Sequence, residues 1–177
     1  YYTIDALRIE AGRRAWGAEL SPDETPWETG LDFAVRMDKR TAFIGRDALA
    51  SKPRTAGTKR LVLLAFDDPA MFPWGGEPIL MNGATVGEIT SAGYSRHHGR
   101  ALAMGYARTE TPLTDEALLG AHWRVDLAGE TVAVTPRART FWTGTRSRRS
   151  GWAVRRTPST SSSISSPRTA RSTATCS

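Results

Sequence analysis

Between Lys59 and Val134 the sequence runs as short apolar stretches separated by turn residues, a rhythm that restricts it to an antiparallel β-architecture. Leu61–Phe66 is an apolar, partly β-branched run, followed by the turn Asp67-Asp68-Pro69. The Asn82-Gly83 pair gives the strongest hairpin signal, because a two-residue turn needs positive φ at both central positions. It lies between the runs Pro78–Met81 and Ala84–Thr90. Thr90–Tyr94 leads into a polar loop at Arg96–Gly99, and Ala101–Ala107 is the next strand. Leu113–Leu119 predicts a short helix. Trp123–Leu127 and Thr131–Val134 flank the turn Ala128-Gly129 as a second hairpin. Strands at a spacing of about 8–12 residues predict a small barrel or sandwich over about residues 58–138.

The preceding residues follow a different pattern. Ile4, Leu7 and Ile9, with Ala6 and Ala11, suit one face of a helix that Gly12 can stop. Thr25, Pro26 and Glu28 supply a capping hydroxyl, a proline at the first helical position and an acid three residues on, a helix start that Gly30 ends. Leu31, Phe33, Val35 and Met37 alternate as a half-buried strand. Phe43–Leu49 predicts a second short helix, stopped before Pro53. The fold class expected is therefore α+β, helices and a strand followed by a small antiparallel β-barrel.

The 177-residue chain carries a formal charge of +6, but that charge is unevenly placed. Residues 139–177 contain eight arginines, 18 serines or threonines and no acid, leaving 16 of the 24 basic residues against all 18 acids in residues 1–138. The body is thus mildly acidic, and nucleic acid is not an expected partner for it. The tail has too little apolar residue content to offset chain entropy and is expected to be disordered. It reads either as a basic RNA-binding arm or as sequence translated out of frame. The second reading is favoured by the absence of lysine and of interleaved aromatics. No apolar run reaches eighteen residues, which excludes a spanning helix. Cys176 has no partner for an internal disulfide, and three histidines without a Cys/His cluster imply no metal site. The chain opens on Tyr1 with no charged-then-apolar leader, so a cytoplasmic cut from a longer polypeptide is expected.

Self-sufficient chemistry is scarce. No glycine-rich phosphate loop, no GxGxxG after a strand and no GxSxG elbow occurs. Tyr94 beside His97 and His98 offers titratable groups, with a plain polar loop as the alternative. Arg8 and Glu10 could act as a pair, although surface helices often carry such charges. Trp16, Trp27, Trp74 and Trp123 read as core or interface anchors.

Taken in order, these segments resemble the aminomethyltransferase family, which includes the glycine-cleavage T-protein and the folate-binding regions of dimethylglycine and sarcosine dehydrogenases. The resemblance is carried by Leu7-Arg8-Ile9-Glu10-Ala11-Gly12, Trp16-Gly17-Ala18-Glu19-Leu20 and Thr25-Pro26-Trp27-Glu28-Thr29-Gly30-Leu31-Asp32-Phe33. It continues through Phe43-Ile44-Gly45-Arg46, Gly76-Glu77-Pro78-Ile79, Val86-Gly87-Glu88-Ile89-Thr90-Ser91-Ala92-Gly93-Tyr94 and Ala103-Met104-Gly105-Tyr106. It covers about residues 5–138, and the Trp-Gly pair and the Asp38-Lys39 to Arg46 stretch lean toward the dehydrogenase branch.

The resemblance implies that residues 1–52 are the remnant of a folate-binding domain, 53–138 a C-terminal β-barrel domain and 139–177 the tail. It implies tetrahydrofolate as cofactor, with FAD confined to an absent upstream domain, and the missing N-terminal part of the same enzyme as partner. Capture of a one-carbon unit as 5,10-methylenetetrahydrofolate would be the function of the whole. A T-protein fragment, or a non-catalytic binding module with the basic arm, is the alternative. The family's catalytic aspartate falls upstream, so no catalytic residue is expected in this chain. Phe33, at the aromatic position after Gly-Leu-x, and Tyr94, in the barrel loop, are the cofactor-contacting candidates. Ile4 stands where T-proteins place an arginine facing the folate.

Overall fold

A computed structural model of the protein describes residues 2–52 and 57–138, all within one compact unit. The tail from 139 onward, on which the basic-arm and frame-error readings fall, lies outside the described residues, as does the boundary at Pro53. The element order is helix α1 (Tyr2–Glu10), helix α2 (Arg46–Ala50), β1 (Lys59–Phe66), β2 (Pro78–Met81), β3 (Ala84–Ser95), β4 (Arg100–Arg108), helix α3 (Asp115–Gly120), β5 (Trp123–Leu127) and β6 (Glu130–Arg137). The six strands form a closed antiparallel barrel in the order β1-β4-β3-β2-β5-β6. Both predicted hairpins form. Their turns place Asn82 and Gly83 at φ 52° and 88°, and Ala128 and Gly129 at 53° and 94°, as the twist of paired strands demands.

Two apolar clusters explain why Leu61–Phe66 is continuously apolar. Val62, Leu64 and Phe66 join Ile79, Ile89 and Val125 in the larger cluster, while Leu61, Leu63 and Ala65 join Leu102, Met104 and Ile9 of α1 in the smaller one. Alternate residues of a strand face opposite sides, so β1 is covered on both faces and cannot alternate with polar residues. Helix α3, capped by Thr114 accepting from the Ala117 amide at 3.2 Å, adds the buried Leu118 to the larger cluster.

Of the elements before the barrel, α1 packs on its outside against β3 and β4. Helix α1 ends in paired bonds from Gly12 N–H to the Ile9 carbonyl and from Arg13 N–H to the Arg8 carbonyl, the two-bond glycine stop of a Schellman motif. The capping box forms: Thr25 N–H donates to Glu28 Oε2 at 2.7 Å, and Glu28 N–H to Thr25 Oγ1 at 3.3 Å. It closes a single turn rather than a helix. The strand expected over 31–37 is absent. Asp32–Ala34 is one 3-10 turn, and Phe33 is 77% exposed. The alternation is real, but a strand needs an edge to pair with, and a closed barrel offers none.

Helix α1 closely approaches the barrel at Gly93. A Cβ there would sit 2.9 Å from Ala6 Cα and 3.2 Å from Ala6 N, and backbone cannot swing aside as a side-chain tip can. Gly93 has no positive φ, so alanine is conformationally acceptable and would by itself add about 0.4–1 kcal/mol through the unfolded state. The contact reverses that sign. Gly93→Ala is expected to lower stability by about 1–3 kcal/mol in urea unfolding; a variant as stable as the wild type would show that α1 does not rest there.

Candidate ligand-binding cleft

The close approach of α1 to β3 leaves a cleft of about 930 Å³ beside it, walled by α1, by Thr90–Tyr94 of β3 and by the loop carrying Phe72 and Trp74. Two buried carboxylates frame this region. Glu19 is 0% exposed and Glu10 5%. A buried carboxylate is tolerable only when its oxygens are bonded, and Glu19 meets that demand on both. Its Oε2 accepts from Arg8 Nη1 at 2.9 Å and from Ala15 N–H at 2.8 Å. Its Oε1 accepts from the hydroxyls of Thr90, at 2.9 Å, and Ser91.

Neighbouring strand residues normally point to opposite faces. The β3–β4 register passes from Ile89↔Gly105 to Ser91↔Met104, leaving Thr90 unopposed in a bulge. The bulge re-aims the strand, and two consecutive hydroxyls reach one carboxylate. Arg8 also pairs with Asp5 at 2.9 Å, not with Glu10. Glu10 accepts from Ser95 Oγ at 2.8 Å, and that oxygen accepts from His98 N–H at 3.1 Å. Arg8 and Glu10 are thus inward-facing ties, not the surface-helix charges that their positions also allow.

A second set of contacts holds residues 21–28 to the barrel. Lys59 Nζ donates to Glu24 Oε1 at 2.8 Å and lies 4.6 Å from the centre of the Tyr106 ring. Hydrogen bonds from Lys59 and Ser21 hold the Glu24 carboxyl below its usual range. Tyr106 Oη donates to the Glu19 carbonyl at 2.7 Å. Burial, then the charges of Glu24, Glu28 and Glu19, push the phenol up, which keeps that donor protonated. Burial pulls the Arg14 guanidinium down, opposed by Tyr106 and Glu19. Its Nε donates to the Thr29 carbonyl at 2.8 Å.

Of the two sequence candidates, Tyr94 lines the cleft and is 44% exposed. Phe33 lines neither this cleft nor a smaller hollow of about 340 Å³ beside Ala34 and Phe43. The structure therefore does not bring the two together. His97 lines the cleft as part of the turn after β3, and its ring meets His98 edge-on at 5.0 Å. Trp123 is a core residue at 3% exposure, whereas Trp16 and Trp74 are 75% and 80% exposed. The sequence reading passed over Phe72 and gave Trp74 and Glu19 no part in a site. An acid between Gly17-Ala18 and Leu20 was the one available sign of Glu19. Among the described residues no cluster of three or more His, Cys, Asp or Glu could hold a metal, and no helix is long and apolar enough to cross a membrane.

Comparison with known proteins agrees with this architecture. Residues 59–142 match the family described as the glycine cleavage T-protein C-terminal barrel domain. The chain is 35% identical to the mitochondrial pyruvate dehydrogenase phosphatase regulatory subunit of Mus musculus, over 73% of this chain and 16% of that one. It is 32% identical to the mitochondrial dimethylglycine dehydrogenase of Rattus norvegicus, over 78% of this chain and 17% of the other. The glycine cleavage system aminomethyltransferase T from Bartonella henselae superimposes with a TM-score of 0.61 at 26% identity, covering 77% of this chain and 37% of that one. The chain thus aligns with about one sixth of the length of the first two relatives.

Removing Glu19 would leave Arg8, whose side chain is 15% exposed, with the half-exposed Asp5 as its remaining carboxylate partner, and would take the carboxylate acceptor from the Ala15 amide and the Ser91 hydroxyl. Breaking a buried pair from one side costs about 3–5 kcal/mol, so Glu19→Ala is expected to lose about 3 kcal/mol or more in chemical unfolding; a loss below about 1 kcal/mol would contradict the network. The Glu24–Lys59 tie has a pH signature. A carboxyl with a depressed folded pKa adds stability above its unfolded value, about 4.3 for glutamate, and loses it as pH falls through the folded value. The stability advantage of the wild type over Glu24→Gln, measured by thermal unfolding, is therefore expected at pH 7 and should shrink progressively as the pH falls below about 4.3 and through the folded value. An advantage that persists or grows there would refute the assignment.

Proposed function

On the premise that residues 59–142 match the glycine cleavage T-protein C-terminal barrel family, we propose that the chain forms part of the tetrahydrofolate-binding module of a dimethylglycine/sarcosine dehydrogenase-like demethylating enzyme. The observation that carries the reading is the cleft between α1 and β3. Its volume of about 930 Å³ lies in the range of small-molecule sites, commonly about 300–1,000 Å³. Its walls combine aromatic rings with polar groups held by buried ties. A flat pterin or aminobenzoyl ring gains by stacking on such a surface, and Arg96 and His97 on the same wall offer donors to a carboxylate tail.

When bound, tetrahydrofolate would supply the nitrogen atoms that receive a one-carbon unit, leaving as 5,10-methylenetetrahydrofolate. Tyr94 would contact the ring from the cleft wall. Phe33 would do so only where further polypeptide brings its exposed turn to the ligand. The partner is then the remainder of a much longer enzyme, to which FAD chemistry belongs; Ile4 and Leu7, 68% and 58% exposed on α1, provide apolar surface for it. The compartment we propose is the cytoplasm, although the two curated relatives named above are mitochondrial. The structural match to an aminomethyltransferase T favours, as a second reading, a portion of a glycine-cleavage enzyme. The similarity to a regulatory subunit favours a non-catalytic binding module.

Calorimetric titration of the purified chain with tetrahydrofolate is expected to show saturable one-to-one binding and, in the absence of other polypeptide, no one-carbon transfer. Tyr94→Ala should weaken binding about five- to tenfold, the size of one aromatic contact. Absence of binding would overturn the reading, and unaided transfer would overturn the division of labour.

A further inference from the structure

We propose that Phe72 and Trp74 form the ring-stacking wall that determines ligand specificity in the cleft, with Glu77 as the residue that positions it; this rests on the folate reading above. The loop is anchored on its inner side by Met71, which packs against the barrel core. Phe72 and Trp74 then meet edge to face, ring centres 5.6 Å apart and planes at 81°. Trp74 is nonetheless 80% exposed and Phe72 38%. A tryptophan left in water forgoes the largest apolar burial any side chain can make.

The turn that presents Trp74 is fastened on both sides. Trp74 N–H donates to Glu77 Oε1 at 2.6 Å and Gly75 N–H to Glu77 Oε2 at 2.8 Å. Gly76 N–H donates to the Ile89 carbonyl at 2.7 Å, and Ile89 N–H to the Glu77 carbonyl at 2.9 Å. One carboxylate therefore clamps two amides of the turn, and the turn is stitched to β3 directly before Thr90 and Ser91. Charge-assisted bonds of this kind are stronger than neutral ones. Holding an exposed indole in place before binding lowers the ordering cost a ligand would meet.

Tyr94 and Trp74 line one cleft with Arg96 and His97. The arrangement suits a flat heteroaromatic ring against the indole with an anionic tail toward the turn after β3. An aliphatic amine or a small amino acid would gain little from the indole face.

The test uses the full chain and 5-formyltetrahydrofolate as probe, with dissociation constants from calorimetry and folding checked by circular dichroism. Trp74→Leu keeps an apolar side chain but removes the ring, and about tenfold weaker binding is expected, while Trp74→Phe should stay within about threefold of the wild type. Glu77→Gln, which loosens the clamp, is expected to weaken binding about threefold or more with an unchanged fold. Trp16→Leu, equally exposed but outside the cleft, should leave binding unaltered. If Trp74→Leu binds like the wild type while Tyr94→Ala binds poorly, the stacking wall is refuted and the folate reading stands. If the wild type itself does not bind the probe, both fall.

Discussion

A carboxylate with no access to water sits where the N-terminal segment meets the barrel, and the placement of α1 depends on satisfying it. Glu19 draws Arg8 from α1, the Ala15 amide from its own loop and two hydroxyls from β3 onto its oxygens. Such a site is costly if any member is missing and specific if all are present, because an unmatched buried charge is penalised far more than a matched one is rewarded. Apolar burial alone would hold α1 loosely, since Ile9 is its one buried apolar residue. The polar network fixes its position and orientation, and the cleft owes its shape to that position.

The barrel supplies the complementary half of the arrangement. Its closure removes free edges, so residues 2–52 attach through side chains and isolated amides, such as the bond from Leu61 N–H to the Glu28 carbonyl, instead of extending the sheet. The bulge at Thr90 is where closure and attachment meet. It bends β3 around the barrel and turns Thr90 and Ser91 toward Glu19. The stitched turn at Gly76 precedes the bulge, and the close contact of Gly93 with Ala6 follows it. Within about twenty residues, Phe72 to Tyr94, the chain builds one wall of the cleft and the seat for the other.

The barrel was legible because its signals are local. Asn82-Gly83 fixes one hairpin by φ preference, Gly129 marks the other although Ala128 takes a φ of 53° that alanine disfavours, and the capping pair Thr25 and Glu28 fixes a turn. The segment over 31–37 alternates as a strand would, yet alternation says nothing of whether a pairing partner exists, and Phe33 ends 77% exposed. The cleft was legible only in part. Tyr94 follows the β3 motif and could be placed, whereas Phe33 sits on a turn whose direction no periodicity encodes. Glu19 and Trp74 derive their importance from partners 71 residues away in one case and from a clamp three residues away in the other. The distant partnership leaves no periodic trace, and Glu77 looks in sequence like an ordinary acid before a strand.

The family match of residues 59–142, the buried ties and the aromatic walls are what support the proposal that a folate binds in the α1–β3 cleft. Amide hydrogen exchange with and without saturating tetrahydrofolate tests this most directly, since protection follows the opening of individual segments. The account predicts slower exchange in residues 2–10, 72–77 and 90–97, with β5 and β6 unchanged. Protection confined to β5 and β6, or none anywhere at saturation, would contradict it.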